Sequence, residues 1–258
     1  MNTGAAWWTQ AAFDVVCEWG EPGVSALAPV CDGVIIVDVL SFCTTVDAAV
    51  AAGASVYPCR WRDHRAVEQA GALGAVLAGP RGGPGFSLSP LSMAGVVPGT
   101  RIVLPSPNGA TLSLMAGTTL AWAGCLRNAA AVAAAASRTG RRLAVIPAGE
   151  RWADGGLRPA LEDWLGAGAI ISRLPGSRSP EAQAAADAFA AARADLAQRL
   201  RQSASGQELI VRGYAPDVDW AAQVDASTTV SRLVAGAYRA APWPDRLLPR
   251  GNTPVAVG

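Results

Sequence analysis

The stretch GVIIVDVL (residues 33–40), with TTVDAAVAAG (44–53) behind it, decides the fold of this chain. An unbroken apolar run of that length marks a strand covered on both faces, as in a parallel sheet. The segment behind it reads as a helix, with Thr44 or Thr45 to cap its first turn and Gly53 to end it. The same strand, loop and helix logic recurs outward from it. Residues 13–19 read as a strand with Phe13, Val15 and Cys17 on one face. Further strands are expected at 55–59, 74–79 (buried), 101–104, 120–124 and 142–149. Helices are expected at 63–71, from Ala110, at 129–137, from Leu161, and as one long alanine-rich element over 180–202.

Glycine- and proline-rich loops fall at 80–93 and 150–159, each directly after a strand. The residues beyond Gln207 mix short segments. The expectation is an α/β fold: a mostly parallel central sheet, helices on both faces, and a ligand site built from loops at the carboxyl ends of strands. Residues 1–240 read as a single α/β domain, with two sub-domains divided near 125–140 as the alternative. The proline-rich residues 241–258 read as a loose tail.

Composition removes whole classes of chemistry. The chain has 258 residues, a net charge of +1, and no lysine, so all 21 basic residues are arginine. P-loop, Schiff-base and lysine-base mechanisms are therefore absent. The single histidine, His64, sits in the polar segment RWRDHRA and reads as a surface residue. The balanced charge argues against a nucleic-acid partner. The five cysteines form no CxxC pair and read as reduced thiols. Neither a signal peptide nor a membrane span is expected, and the protein is read as cytoplasmic.

Candidate chemistry sits on the loops. Asp38 interrupts an apolar strand, where a carboxylate needs a hydrogen bond, an arginine, a metal or a proton. It lacks the second aspartate, two residues on, of haloacid-dehalogenase-type phosphatases. Ser41, Thr44 and Thr45 follow it at a helix start, where an oxyanion is welcome. PSPNGAT (105–111) brings Ser106, Asn108 and the Gly109 backbone to another helix start. Arg81 and Ser89 occupy the glycine-rich loop, and Arg127 and Asn128 open a third helix. Glu162 and Asp163 suit a helix N-terminus, or magnesium ligation together with Asp38.

VDVLSFCTTVDAAVAAGA, GPRGG with SLSP, LPSPNGAT, GCLRNAAAVA and LEDWLGAGA occur in an order that resembles the 2-phosphosulfolactate phosphatase (ComB) family, from about Asp32 to about Leu233. The resemblance implies a Mg²⁺-dependent phosphatase converting 2-phospho-3-sulfolactate to sulfolactate and phosphate, a step toward coenzyme M. It also implies an α/β fold and a homodimer. Asp38, Arg81, Ser89, Asn108, Gly109, Asn128, Glu162 and Asp163 match the family pattern. Ser41, Pro80 and Leu88 stand where the family typically has arginine, glutamate and asparagine, and Ser106-Pro107-Asn108-Gly109-Ala110 replaces a Thr-Thr-Asn-Gly-Thr turn.

The resulting expectation gives Asp38, Arg81 and Asn108 catalytic roles. Ser41, Thr44, Ser89, Ser106, Gly109, Arg127 and Asn128 bind a small phosphorylated anion, and Asp38, Glu162 and Asp163 hold Mg²⁺. The alternatives are a non-catalytic small-anion-binding protein that keeps the fold, and an enzyme using Cys43.

Overall fold

The computed structural model describes residues 6–241. In chain order it places β1 at Val15–Cys17, α1 at Gly20–Leu27, β2 at Gly33–Val37, α2 at Phe42–Ala51, β3 at Ser55–Cys59 and α3 at His64–Leu73. Next come β4 at Val76–Leu77, β5 at Arg101–Pro105, α4 at Gly109–Met115, β6 at Leu120–Gly124, α5 at Ala129–Ala136 and β7 at Leu143–Pro147. The remainder is β8 at Glu150–Arg151, β9 at Leu157–Arg158, α6 at Leu161–Ile171, α7 at Pro180–Ala192, α8 at Leu196–Gln202, α9 at Ala204–Val211, α10 at Ala215–Ala221, β10 at Ser231–Val234 and β11 at Ala237–Ala240.

Nine strands form one sheet in the order β1-β7-β2-β6-β10-β11-β3-β5-β4. Strands β1, β7, β2 and β6 pair in parallel, as do β3, β5 and β4. Between these blocks the β10–β11 hairpin pairs antiparallel with β6 on one side and β3 on the other. The α/β architecture with a mostly parallel sheet is as read from the sequence.

Strand β2 shows why both faces are covered. Ile35 and Val37 enter one core with residues of α5, α6 and α7, while Val34 and Ile36 enter the other with α1, α2 and α4. Successive side chains of a strand point to opposite faces, so an unbroken apolar run demands two layers of helices.

Several local expectations change. Phe13 precedes β1 and packs in the core of Val16, opposite Val15 and Cys17, because strand alternation begins only at Val15. The strand expected to be buried at 74–79 is the two-residue edge strand β4, with Val76 half exposed. Helix α2 starts at Phe42, so the expected caps lie inside it: Thr44 Oγ1 donates to Val39 O and Thr45 Oγ1 to Leu88 O. The long helix over 180–202 breaks at a 3₁₀ turn, Arg193–Asp195, and the loop at 150–159 holds the β8–β9 hairpin. Of the tail expected at 241–258, all but Ala241 lies outside the described residues. Among those described, no helix is long and apolar enough to cross a membrane.

Candidate active site

The chain turns out of β2 at Asp38, which is 6% exposed. Its Oδ1 accepts the Phe42 N–H at 2.9 Å, and its Oδ2 accepts the Gly109 N–H at 2.9 Å. One carboxylate thereby joins the start of α2 to the start of α4. The glycine is required: a Cβ at position 109 would lie 2.7 Å from Asp38 Oδ2 and clash with the edge of the Phe42 ring. The Gly109 amide, expected to face an anion, is directed to Asp38 instead.

Asp163, in the first turn of α6, makes a second tie. Its Oδ1 accepts from Val39 N at 2.7 Å and its Oδ2 from Gly149 N at 2.8 Å, fastening the loops after β2 and β7. Glu162 beside it is 2% exposed and makes no hydrogen bond among the described residues. Glu150, at the end of the loop after β7, accepts from Asn108 Nδ2 at 2.8 Å. These acids lie within electrostatic reach of one another. Burial, opposed by its two backbone bonds and reinforced by Glu162, lifts Asp38 to about 6. Burial and then Asp38 lift Glu150 to about 7, and burial with Asp38 and Glu162 raises Asp163 well above the carboxylate range. Burial first, and the neighbouring acids second, thus favour the protonated forms of this cluster.

The opposite wall is cationic. Arg81 is 10% exposed in its side chain and ion-pairs through Nη1 with Asp217 Oδ2, while Nη2 donates to Ser41 Oγ at 2.7 Å. Burial lowers its pKa and Asp217 opposes that shift. Ser89 Oγ donates to Asp217 Oδ1 at 2.6 Å, so Ser89 helps to hold the carboxylate that holds Arg81. Between the walls lies a cavity of about 200 Å³ whose lining includes Asp38, Ser41, Arg81, Ser106, Asn108 and Glu150. Arg62 of the β3–α3 loop and Arg212 at the end of α9 complete its basic side.

The structure thus brings together Asp38, Ser41, Arg81, Ser106 and Asn108, with Glu162 and Asp163 packed behind. Five expected ligand contacts, Thr44, Ser89, Gly109, Arg127 and Asn128, do not line this cavity, and the Gly109 amide goes to Asp38. Thr44 and Ser89 are bonded as described above. Arg127 stacks 3.5 Å from the Trp220 ring centroid and donates to Gln223 Oε1 at 2.5 Å, and Asn128 Oδ1 accepts from Cys125 N at 2.9 Å. Helix-opening polar residues after a strand can serve the backbone as readily as a ligand, and these do. Cys43 is fully buried, bonded to Ile36 O, with its thiol pKa pushed well up by burial, so it is no nucleophile.

Sequence reading passed over Arg62, Glu150, Arg212 and Asp217. Arg62 lay in a segment read as solvated surface, and Glu150 in a loop read only for its glycines. Arg212 and Asp217 lay in a tail whose short helices left no clear periodic pattern.

For a divalent cation, the donor chemistry fits. The acids are hard oxygen donors, mutually repelling, and Glu162 is buried without a hydrogen-bond partner among the described residues. Among those residues no three such side chains form a ready-made ion cage. Asp38, Glu162 and Asp163 therefore do not form the three-carboxylate site expected from the sequence, and one or two of them at most could meet a single ion.

The 2-phosphosulpholactate phosphatase family matches residues 25–236, most of the chain. The chain belongs to the 2-phosphosulfolactate phosphatase family. It is 36% identical over 201 residues to a probable 2-phosphosulfolactate phosphatase of Carboxydothermus hydrogenoformans, covering 74% of this chain and 82% of that protein. Identity is 33% over 190 residues to the 2-phosphosulfolactate phosphatase of Methanothermobacter thermautotrophicus, covering 72% and 80%. It is 31% over 218 residues to a probable 2-phosphosulfolactate phosphatase of Deinococcus radiodurans, covering 80% and 89%. In this member of the 2-phosphosulfolactate phosphatase family, Asp38, Arg81 and Asn108 share one cavity although they come from loops far apart in sequence.

Proposed function

We propose that the protein is a Mg²⁺-dependent phosphomonoesterase acting on 2-phospho-3-sulfolactate or a closely related small phosphorylated acid. The observation that carries this reading is a single cavity whose lining combines the carboxylates Asp38 and Glu150 with Arg62, Arg81 and Arg212. A phosphate monoester needs both: fixed cations for its peripheral oxygens, and carboxylates to hold a metal and handle protons.

Arg81, locked by Asp217 and Ser41, meets the phosphate oxygens, and Ser106 and Asn108 direct polar groups to the same space. Asp38 and Glu162, with Asp163 behind them, would hold Mg²⁺. When bound, that ion supplies Lewis-acid stabilisation of the charge developing on the phosphoryl oxygens. Either water attacks phosphorus and gives its proton to the Asp38 carboxylate, or Asp38 attacks and water cleaves the aspartyl phosphate in a second step. As the new P–O bond forms, the ester P–O bond breaks, and the leaving alkoxide takes a proton from the Glu150 carboxyl. The net reaction consumes one water and yields a 2-hydroxy acid and orthophosphate.

The test is phosphate release from 2-phosphosulfolactate and related phospho-acids, with Mg²⁺ or with EDTA. Metal-dependent release that falls at least ~10³-fold in Asp38→Asn is the expected result. Equal release by wild type and that variant on every substrate would remove the enzyme reading. The second reading, a non-catalytic anion binder, draws on the backbone bonds that occupy both Asp38 oxygens. It requires metal-free anion binding that survives Asp163→Asn.

A further inference from the structure

The catalytic cavity does not end at its basic wall. Arg62, Arg81, Leu88 and Arg212 also line a second cavity of about 470 Å³, so the two spaces adjoin at these side chains. The second space is larger and its chemistry is different. Away from the shared wall it is lined by Ala66 of α3, Leu77 of β4, Leu104 of β5, and Ala78 just beyond β4. Its volume lies in the range of small-molecule sites, and an apolar lining with a few placed charges is the usual composition of such a site.

The placement of charge limits what fits. Arg81 is committed to Asp217 and Ser41, but Arg62 makes no hydrogen bond or ion pair among the described residues, and Arg212 pairs only with Glu208, which is more than half exposed. Two guanidinium groups are thus available at the boundary between the phosphate cavity and the apolar one. A carboxylate attached next to the phosphate-bearing carbon would reach such a boundary. Whatever extends beyond it meets Leu77, Ala78 and Leu104, where a charged group finds no partner and loses its hydration. A sulfonate is poorly matched to that lining, whereas an alkyl or aryl group displaces water from it.

We infer that the larger cavity is the subsite for an apolar substituent, making the substrate a phosphorylated 2-hydroxy acid that carries an alkyl or aryl group at C3. The inference rests on the phosphatase reading and, of its two substrate options, takes the closely related acid rather than 2-phospho-3-sulfolactate itself. Phosphate and carboxylate bind between Asp38 and the arginines, and the C3 substituent projects past Leu88 toward Leu77.

The experiment compares kcat/KM of the full chain, with Mg²⁺, for 2-phospholactate, 2-phospho-3-phenyllactate and 2-phosphosulfolactate. A preference of at least ~10-fold for the phenyl compound over both others is the expected result, in line with the discrimination an apolar pocket provides. Leu77→Asp, on an edge strand where a charge is tolerated, is expected to cut the phenyl-to-methyl ratio at least ~5-fold. Turnover of 2-phospholactate or 2-phosphosulfolactate equal to or faster than the phenyl compound overturns this inference and leaves the phosphatase reading standing. An unchanged ratio in a folded Leu77→Asp protein also overturns it. Release of phosphate from none of the three overturns both.

Discussion

Arg81 and Asp217, 136 positions apart, form an ion pair in which both side chains are nearly buried. The pair places the most deeply buried guanidinium of the cavity wall under the control of α10, an element outside the parallel sheet. Removing one member of a buried pair strands the other, at a cost of about 3–5 kcal/mol. Asp217→Asn is therefore expected to raise KM for the phosphate ester at least ~10-fold and to lower Tm, with partial rescue in Asp217→Glu. Steady-state kinetics beside thermal melts check this. An unchanged KM would show that Arg81 does not meet substrate.

Gly109→Ala tests the tie between α2 and α4. The added methyl would sit 2.7 Å from Asp38 Oδ2, so Asp38 or the Phe42 ring must move. A loss of about 1–3 kcal/mol in stability is expected from such overpacking, with activity down at least ~10-fold. Urea melts and phosphate release measure both. Full activity would mean that the position of Asp38 is not critical.

The acid cluster makes stability depend on pH. Glu150 is raised from 4.5 to about 7, so the folded state binds its proton more tightly than the unfolded chain. Its stabilising contribution is complete below the ordinary carboxylate value and is lost as pH rises through about 7. In metal-free protein, Tm is expected to fall between about pH 4.5 and about pH 7, and Glu150→Gln to flatten that fall by ~3 °C. The same variant is expected to remove the upper limb of the kcat profile if Glu150 protonates the leaving group. A pH dependence identical to wild type would exclude both roles.

Magnesium is expected to stabilise the fold by relieving the repulsion among Asp38, Glu162 and Asp163. At an ion concentration about 100-fold above Kd, mass action gives ~2.7 kcal/mol, or a rise in Tm of roughly 5 °C for a chain of this size. Differential scanning of EDTA-treated protein with and without Mg²⁺ reads this directly. The shift is expected to vanish in Glu162→Gln, and its absence in wild type would count against metal binding at these acids.

The sheet was legible because β2, β6 and β7 are continuous apolar runs, and a strand covered on both faces is the arrangement that buries every side chain of such a run. Asp38 stood out for the same reason, as a charge where none is cheap. What escaped was decided by tertiary context. Arg127 and Asn128 occupy a helix start indistinguishable in sequence from an anion cradle, yet Trp220 and the Cys125 amide claim them. The β10–β11 hairpin was missed because its strands are short and their partners, β6 and β3, lie more than a hundred positions upstream. Its turn, Ala235-Gly236, with both residues at positive φ, was the one local signal on offer.

That hairpin sets an order of events. Asp38 and the α6 residue Asp163 follow strands of the β1, β7, β2, β6 block, Arg81 and Asn108 follow strands of the β3, β5, β4 block, and the strands that knit the blocks edge to edge come last in sequence among the described residues. A ribosome must release the chain through residue 240 before the sheet can close. A nascent or C-terminally clipped polypeptide lacking residues 231–240 keeps every acid and arginine of the site but not the seam that aligns them. Activity should therefore switch on late in synthesis, as a property of the finished chain rather than of either half.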